Sequence, residues 1–126
     1  MKEIICTENA PEPIGPYSQA VLIDGTLYCS GQIAADCLHG DIAEQTEAVC
    51  NNISAVLKAA DMQIQDVVKT TCFLANMDCF AVFNEVYAKY FTHKPARSCI
   101  AAQELPKGAA VEIEVIGVRG RGDTNV

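Results

Sequence analysis

The chain has 126 residues, enough for one domain with a core of its own. Half of them are apolar or aromatic and 20% are charged, which excludes a disordered chain, and no apolar run approaches the ~20 residues that a membrane helix needs. Sixteen acids against nine Lys and Arg give a net charge of −7; this excludes a long phosphate-tracking groove but leaves room for a single arginine that holds a small anion.

The opening segment "MKEIICTENAPEP" carries Glu3 and Glu8 and lacks a long apolar run, so it reads as neither a signal peptide nor a transit peptide, and the mature chain is expected to start near Met1. Residues 2–6 form a short strand. "TENAPEPIGP" holds three prolines and a glycine and is a shaped loop. In "SQAVLIDGTLYCSG" two apolar runs flank Asp24-Gly25, a dipeptide that supplies the positive φ angles of a two-residue hairpin turn, which predicts strands at 18–23 and 26–31.

Asp41 and Glu44 have the spacing of a helix-capping pair. After them Thr46, Val49, Ile53, Val56, Leu57 and Ala60 recur at helical spacing, so a helix is expected at 42–61. The β-branched "DVVKTTCFLAN" predicts a strand at 67–75. Asp78 is a candidate N-cap for a second helix, 79–91, with the stripe Phe80, Phe83, Tyr87, Tyr90 and Phe91, and Pro95 forces an extended exit. Strands at 97–103 and 109–118 follow, giving a single domain over 1–118 and a polar tail at 119–126.

The seven cysteines are odd in number and contain no C-x-x-C pair, and several fall inside apolar patterns; free thiols in a reducing cytoplasm fit best. Asn52-Ile53-Ser54 matches a glycosylation sequon but lies mid-helix, and Arg121-Gly122-Asp123 is a chance tripeptide in the tail.

The order β-β-β-α-β-α-β-β predicts an α+β fold, a largely antiparallel or mixed six-stranded sheet with two helices on one face. Several strands are apolar on both faces, as Val21 and Ile23 are against Leu22, and Phe73 is against Cys72 and Leu74. Two helices cover one face only. The other would be an apolar patch larger than monomers carry, so the chain is expected to be an oligomer with sites in clefts between subunits.

In "VEIEVIGV", Glu112 and Glu114 share a face with Ile116 and Val118. Either they are solvated acids on an edge strand, or one is half-buried, its pKa raised by burial, and serves as a base. Arg97, placed just after Pro95, offers a planar fork for a carboxylate, or else is an ordinary surface arginine. If the last two strands pair, Arg97 and a glutamate come into one neighbourhood. Cys99 lies on the same strand face as Arg97; the only histidines are His39 and His93, so a nucleophilic cysteine has no evident base and a packing role is the simpler reading. Cys37 and His39 are too few for a zinc site. Ser30-Gly31 either ends a strand or brings a backbone N–H close to a ligand. Tyr17 is either core or a ring over a cleft.

Taken together, "ENAPEPIGPYSQA", "SGQI", "VVKTTCFLANM", "FNEVYAKYF", "PARSC" and "LPKGAAVEIEVIGV" resemble the Rid family of reactive imine/enamine deaminases, and its RidA subfamily most closely, over about residues 4–118. The resemblance implies a chorismate-mutase-like fold and a homotrimer with a central barrel of strands, helices outside and three interface sites. It implies cofactor-free hydrolysis of 2-imino acids such as 2-iminobutyrate and 2-iminopropionate, tautomers of enamines released by PLP-dependent serine and threonine dehydratases, to 2-keto acids and ammonia. Carried over by position, Arg97 clamps the substrate carboxylate and Glu112 orients or deprotonates the attacking water. Gly31 and Cys99 contribute main-chain contacts with Ser30 beside them, and Tyr17 closes the site from the neighbouring subunit. Asn84 matches a frequent family position in the second helix. The lead-in "FTHKPARSC" is shorter than in many members and sets Lys94 beside the pocket.

Two other functions fit a chain of this kind: a ribonuclease or translation inhibitor, opposed by the acidic charge and the lack of paired histidines, and a non-catalytic small-molecule sensor or holdase that uses the same cleft or apolar surface.

Overall fold

A computed structural model describes residues 1–120. The strands are β1 (Lys2–Ile5), β2 (Ala20–Ile23), β3 (Thr26–Gln32), β4 (Val67–Leu74), β5 (Ala96–Ala101) and β6 (Val111–Val118); the helices are α1 (Ile42–Ala59) and α2 (Phe80–Tyr90). The hairpin between β2 and β3 turns on Asp24 and Gly25, both at positive φ (48° and 86°), as the dipeptide predicts.

The capping pair of α1 forms in both directions. Asp41 Oδ1 accepts from the Glu44 N–H and Glu44 Oε1 accepts from the Asp41 N–H, each at 2.9 Å. The helix ends at Ala59, two residues before the expected end, because Asp61 adopts a left-handed φ of 62° and the Met62 N–H turns back to the Leu57 carbonyl at 2.9 Å. The cap before α2 differs from expectation. Asn76, not Asp78, accepts the capping bond, from the Asp78 N–H at 2.8 Å, and a single 3-10 turn at Met77–Cys79 precedes the helix.

The strand order is β1-β2-β3-β6-β4-β5. All neighbours are antiparallel except β4 and β5, which are parallel and joined through α2. The last strand therefore inserts between β3 and β4, and β5 and β6 do not pair. The pairing of these two strands that the short "ELPKG" connection left open does not form, because a parallel β4–α2–β5 unit places β5 on the outer edge and the connection then carries the chain past β4.

Both helices pack on one face. Leu27, Val49, Ile53, Leu57, Cys72, Leu74, Phe83, Val111 and Ile113 form the centre of that core, all without exposure to solvent. The opposite face is not covered by any element among the described residues. Tyr28, cross-strand neighbour of Val21 and Ile116, is 51% exposed, and Ile4 and Ile100 are 62% and 53% exposed.

Arg119, expected in the tail, is tied into the fold: its N–H donates to the Gly25 carbonyl (2.7 Å) and its guanidinium to the Ala60 carbonyl (2.6 Å). The rest of that tail from residue 121, with its Arg-Gly-Asp tripeptide, lies outside the described residues.

Candidate active site

On the uncovered face, β3 and β6 lose register. Cys29 pairs with Val115 and Gln32 with Ile113, so three steps on one strand meet two on the other, and the extra residue is a bulge at Ser30-Gly31. The loop before β2 holds this bulge in place. The Ser30 N–H donates to the Gln19 carbonyl at 2.9 Å and its hydroxyl to the Ser18 carbonyl at 2.7 Å. Gln19 is buried; its side chain accepts from the Thr7 N–H (2.7 Å) and donates to the Pro11 carbonyl (2.9 Å), which pins the proline-rich segment.

The Glu112 side chain lies directly against Gly31. A Cβ at that position would overlap the Glu112 carboxylate and stand 2.9 Å from its Cδ, so the close approach requires glycine. Tyr17, Ser30, Gly31, Pro106, Glu112 and Glu114 line a cleft of about 410 Å³. Glu112 is half-buried there. Its carboxyl is held above the ordinary carboxylate value, first by burial and then by the charge of Glu114.

Arg97 sits in a different environment, on the helix-covered side of β5. Its Nη1 donates to Asn84 Oδ1 at 2.8 Å, and its guanidinium carbon lies 4.8 Å from the centre of the Tyr87 ring and 5.5 Å from that of Phe80. The Tyr87 hydroxyl is hydrogen-bonded to Thr70 Oγ1 at 2.7 Å in the core. Phe80, Asn84 and Tyr87 are spaced to share one face of α2, so the helix presents a ready bed for the guanidinium. Asn84, Tyr87, Lys94, Pro95 and Arg97 line a cavity of about 340 Å³. Among the described residues Arg97 has no carboxylate within ion-pair distance.

The candidate residues thus fall into two groups. Tyr17, Ser30, Gly31 and Glu112 gather in one cleft; Asn84 and Arg97 gather in another. In register, Arg97 is opposite Thr70 and Glu112 is opposite Phe73. Alternation along β4 puts Thr70, which is fully buried, under the helices and Phe73 on the uncovered face. One chain therefore does not bring Arg97 and Glu112 together, and Tyr17 belongs to the same chain's cleft as Glu112. Cys99 packs partly buried against the core; burial raises its thiol pKa and Arg97 partly opposes this. Cys29, Cys50 and Cys72 are pushed up to about 12, mainly by burial. None of these thiols is poised as a nucleophile.

The bed of Phe80 and Tyr87 and the pinning role of Gln19 were not read from the sequence as parts of a site. The i, i+4, i+7 spacing of Phe80, Asn84 and Tyr87 is a signal that could have exposed the first. Among the described residues, no three His, Cys, Asp or Glu side chains gather as a metal site would need. A larger concavity, of about 770 Å³, lies over the 6–14 loop, but it contains none of the groups that converge in the two smaller clefts.

Comparison with known proteins shows the family. The sequence profile described as Endoribonuclease L-PSP matches residues 7–119. A RutC family protein of Pyrococcus horikoshii is 48% identical over 125 residues, 94% of this chain and 99% of its own. The human protein named 2-iminobutanoate/2-iminopropanoate deaminase is 42% identical over 126 residues, 95% of this chain and 92% of its own. The crystal structure of YyfA from Yersinia pestis, described as a member of the conserved Rid protein family, superimposes with a TM-score of 0.89 at 46% identity, covering 94% of this chain and 99% of that one. With the profile spanning nearly the whole described chain and relatives of this identity from end to end, the protein belongs to the endoribonuclease L-PSP family, the family of the Rid proteins.

Proposed function

We propose that the protein hydrolyses 2-imino acids, such as 2-iminobutanoate and 2-iminopropanoate, to 2-keto acids and ammonia, at clefts where Arg97 of one subunit meets Glu112 of its neighbour in a homotrimer. The observation that carries this reading is the placement of the two residues: an arginine with no acidic partner among the described residues and a half-buried carboxyl with a raised pKa stand on opposite sides of one sheet. The uncovered apolar face around Tyr28, Ile100 and Ile116, on the side of the sheet where Glu112 stands, supports it, because a surface of that kind calls for a second chain over it. The family resemblance supplies the number three, and the name of the human relative supports the reaction.

In this site the Arg97 fork binds the substrate carboxylate with two parallel hydrogen bonds. The protonated imine carbon C2 is already electrophilic, so neither a covalent catalyst nor a cofactor is required. Glu112 accepts a proton from the attacking water as the C2–O bond forms and the C=N π pair moves to nitrogen. The carboxyl then returns that proton to the amino nitrogen of the carbinolamine. The C–N bond breaks with its pair leaving on ammonia, the hydroxyl O–H pair closes the carbonyl, and the released proton goes to the ammonia. Holding the substrate and one water in register is worth several kcal/mol, ~7 or more in the best-oriented cases.

Ribonuclease chemistry has less support. The net charge is −7, and the His93 ring Nε2–H donates to the Val67 carbonyl at 2.8 Å, which gives that histidine a structural role. The proposed activity is tested by following 2-ketobutyrate release from 2-iminobutanoate generated by a threonine dehydratase. Acceleration by the protein and none by Arg97→Ala is the expected result; no acceleration by the wild-type protein overturns the proposal.

A further inference from the structure

Beside Arg97 lies a second cation that the reaction does not need. Lys94 lines the same cavity of about 340 Å³ as Arg97, Asn84 and Tyr87. Its backbone has a left-handed φ of 57°, a conformation that glycine or asparagine adopts with less strain. The turn is closed by its N–H, which donates to the Phe91 carbonyl at 3.2 Å. Pro95 follows and fixes the entry into β5. The two cations are thus held by a short stiff spacer, with at most about 10 Å between their Cα atoms.

Neither has a carboxylate within ion-pair distance among the described residues, in a chain where acids outnumber Lys and Arg sixteen to nine. Two like charges lining one small cavity repel each other, and a dianion relieves that repulsion better than a monoanion. We infer that Lys94 is a specificity-determining residue, and that with Arg97 it selects 2-imino acids bearing a second carboxylate on the side chain. This rests on the proposed deaminase reading for the reaction, but the selection itself is a property of binding. The first carboxylate takes the planar Arg97 fork. The second, three or four carbons away in a four- or five-carbon diacid, takes the Lys94 ammonium, a point charge on a stem long enough to adapt.

The test has two arms. In the first, 2-iminoglutarate and 2-iminobutanoate are generated by an amino acid oxidase and their hydrolysis is measured with wild type, Lys94→Met and Lys94→Arg. The ratio of kcat/KM for the dicarboxylic over the monocarboxylic substrate should favour the diacid in wild type. It should fall about tenfold in Lys94→Met, the loss of one charge-assisted hydrogen bond, and recover in Lys94→Arg. In the second arm, binding of the products 2-ketoglutarate and 2-ketobutyrate is measured by calorimetry with the same three proteins. The same ratio pattern is expected there without any turnover. If neither substrate is hydrolysed yet 2-ketoglutarate binds selectively through Lys94, the deaminase reading falls and the selectivity stands. If wild type shows no preference in either arm, or Lys94→Met leaves the ratios unchanged, the selectivity is overturned.

Discussion

Arg97 and Glu112 project from opposite faces of the same sheet, two strands and three register positions apart. No side-chain rotation within one chain closes that gap. If the two form one site, each site draws on two chains, and mixing two inactive variants should restore activity. Arg97→Ala and Glu112→Gln, each inactive alone, are refolded together at equal amounts. With random assembly, roughly a quarter of the sites receive Arg97 from one variant and Glu112 from the other, because the two donors are chosen independently in a closed ring. Recovery of about that fraction of wild-type activity is expected. Absence of recovery, with mixed assemblies verified by mass, would mean that the two residues act within one chain or not at all.

With Glu112 as the base of the proposed reaction, its titration should set the acid side of the pH–rate profile. Its carboxyl titrates above its ordinary 4.5 because burial, and then Glu114, disfavour the charged form. The ionised form is the base, so kcat/KM should rise as pH passes upward through that raised value. Glu114→Gln removes the second contribution and should move the acid limb to lower pH while leaving the plateau. A shift to higher pH would contradict the attribution.

The same group sets a stability trend of opposite sign. A carboxyl raised in the folded state stabilises the fold only while protonated; this contribution is complete below the unfolded value and is lost as pH rises through the folded one. Glu112→Gln should therefore raise the melting temperature at neutral pH, and the gain should vanish in acid. Thermal melts of both proteins at the two conditions check this, and an equal effect at both would show that packing, not charge, is responsible.

Gly31 is required by the carboxylate that rests on it. Gly31→Ala forces the Glu112 carboxylate away, since a Cβ would overlap it. The obstructing atoms end a flexible side chain, so the fold should survive with its melting temperature changed by only a few degrees. Activity should fall about a hundredfold, the scale associated with misplacing a catalytic group by an ångström. Parallel melting and kinetic measurements separate this from simple unfolding.

Asp41 provides a control remote from both clefts. It lines neither cavity and forms the capping box of α1 with Glu44. Asp41→Ala should lower stability by ~1 kcal/mol, read from the denaturant midpoint at unchanged slope, with kcat unchanged.

Much of the architecture was legible before any coordinates. Apolar and β-branched runs between turn residues located all six strands, helical spacing located both helices, Asp24-Gly25 marked the hairpin, and Asp41 with Glu44 marked the start of α1. Each is a local signal, complete within a few residues, so tertiary packing had little to add. The same holds for the side of β6 on which Glu112 stands, because alternation along a strand is set by the backbone itself.

What the sequence left undecided were relations between distant segments. That β6 enters between β3 and β4, that Ser30-Gly31 bulges, that Asn76 rather than Asp78 caps the turn before α2, and that Phe80 and Tyr87 bed the guanidinium all depend on pairings between distant segments or on geometry that residue type alone leaves open. The choice of strand neighbours was the decisive one. Pairing β5 with β4 instead of β6 put Arg97 and Glu112, which a β5–β6 pair would have made neighbours, on opposite faces. Residue types and spacings thus determined which elements hold the candidate groups; only the long-range hydrogen bonding of the sheet decided that one chain keeps Arg97 and Glu112 apart.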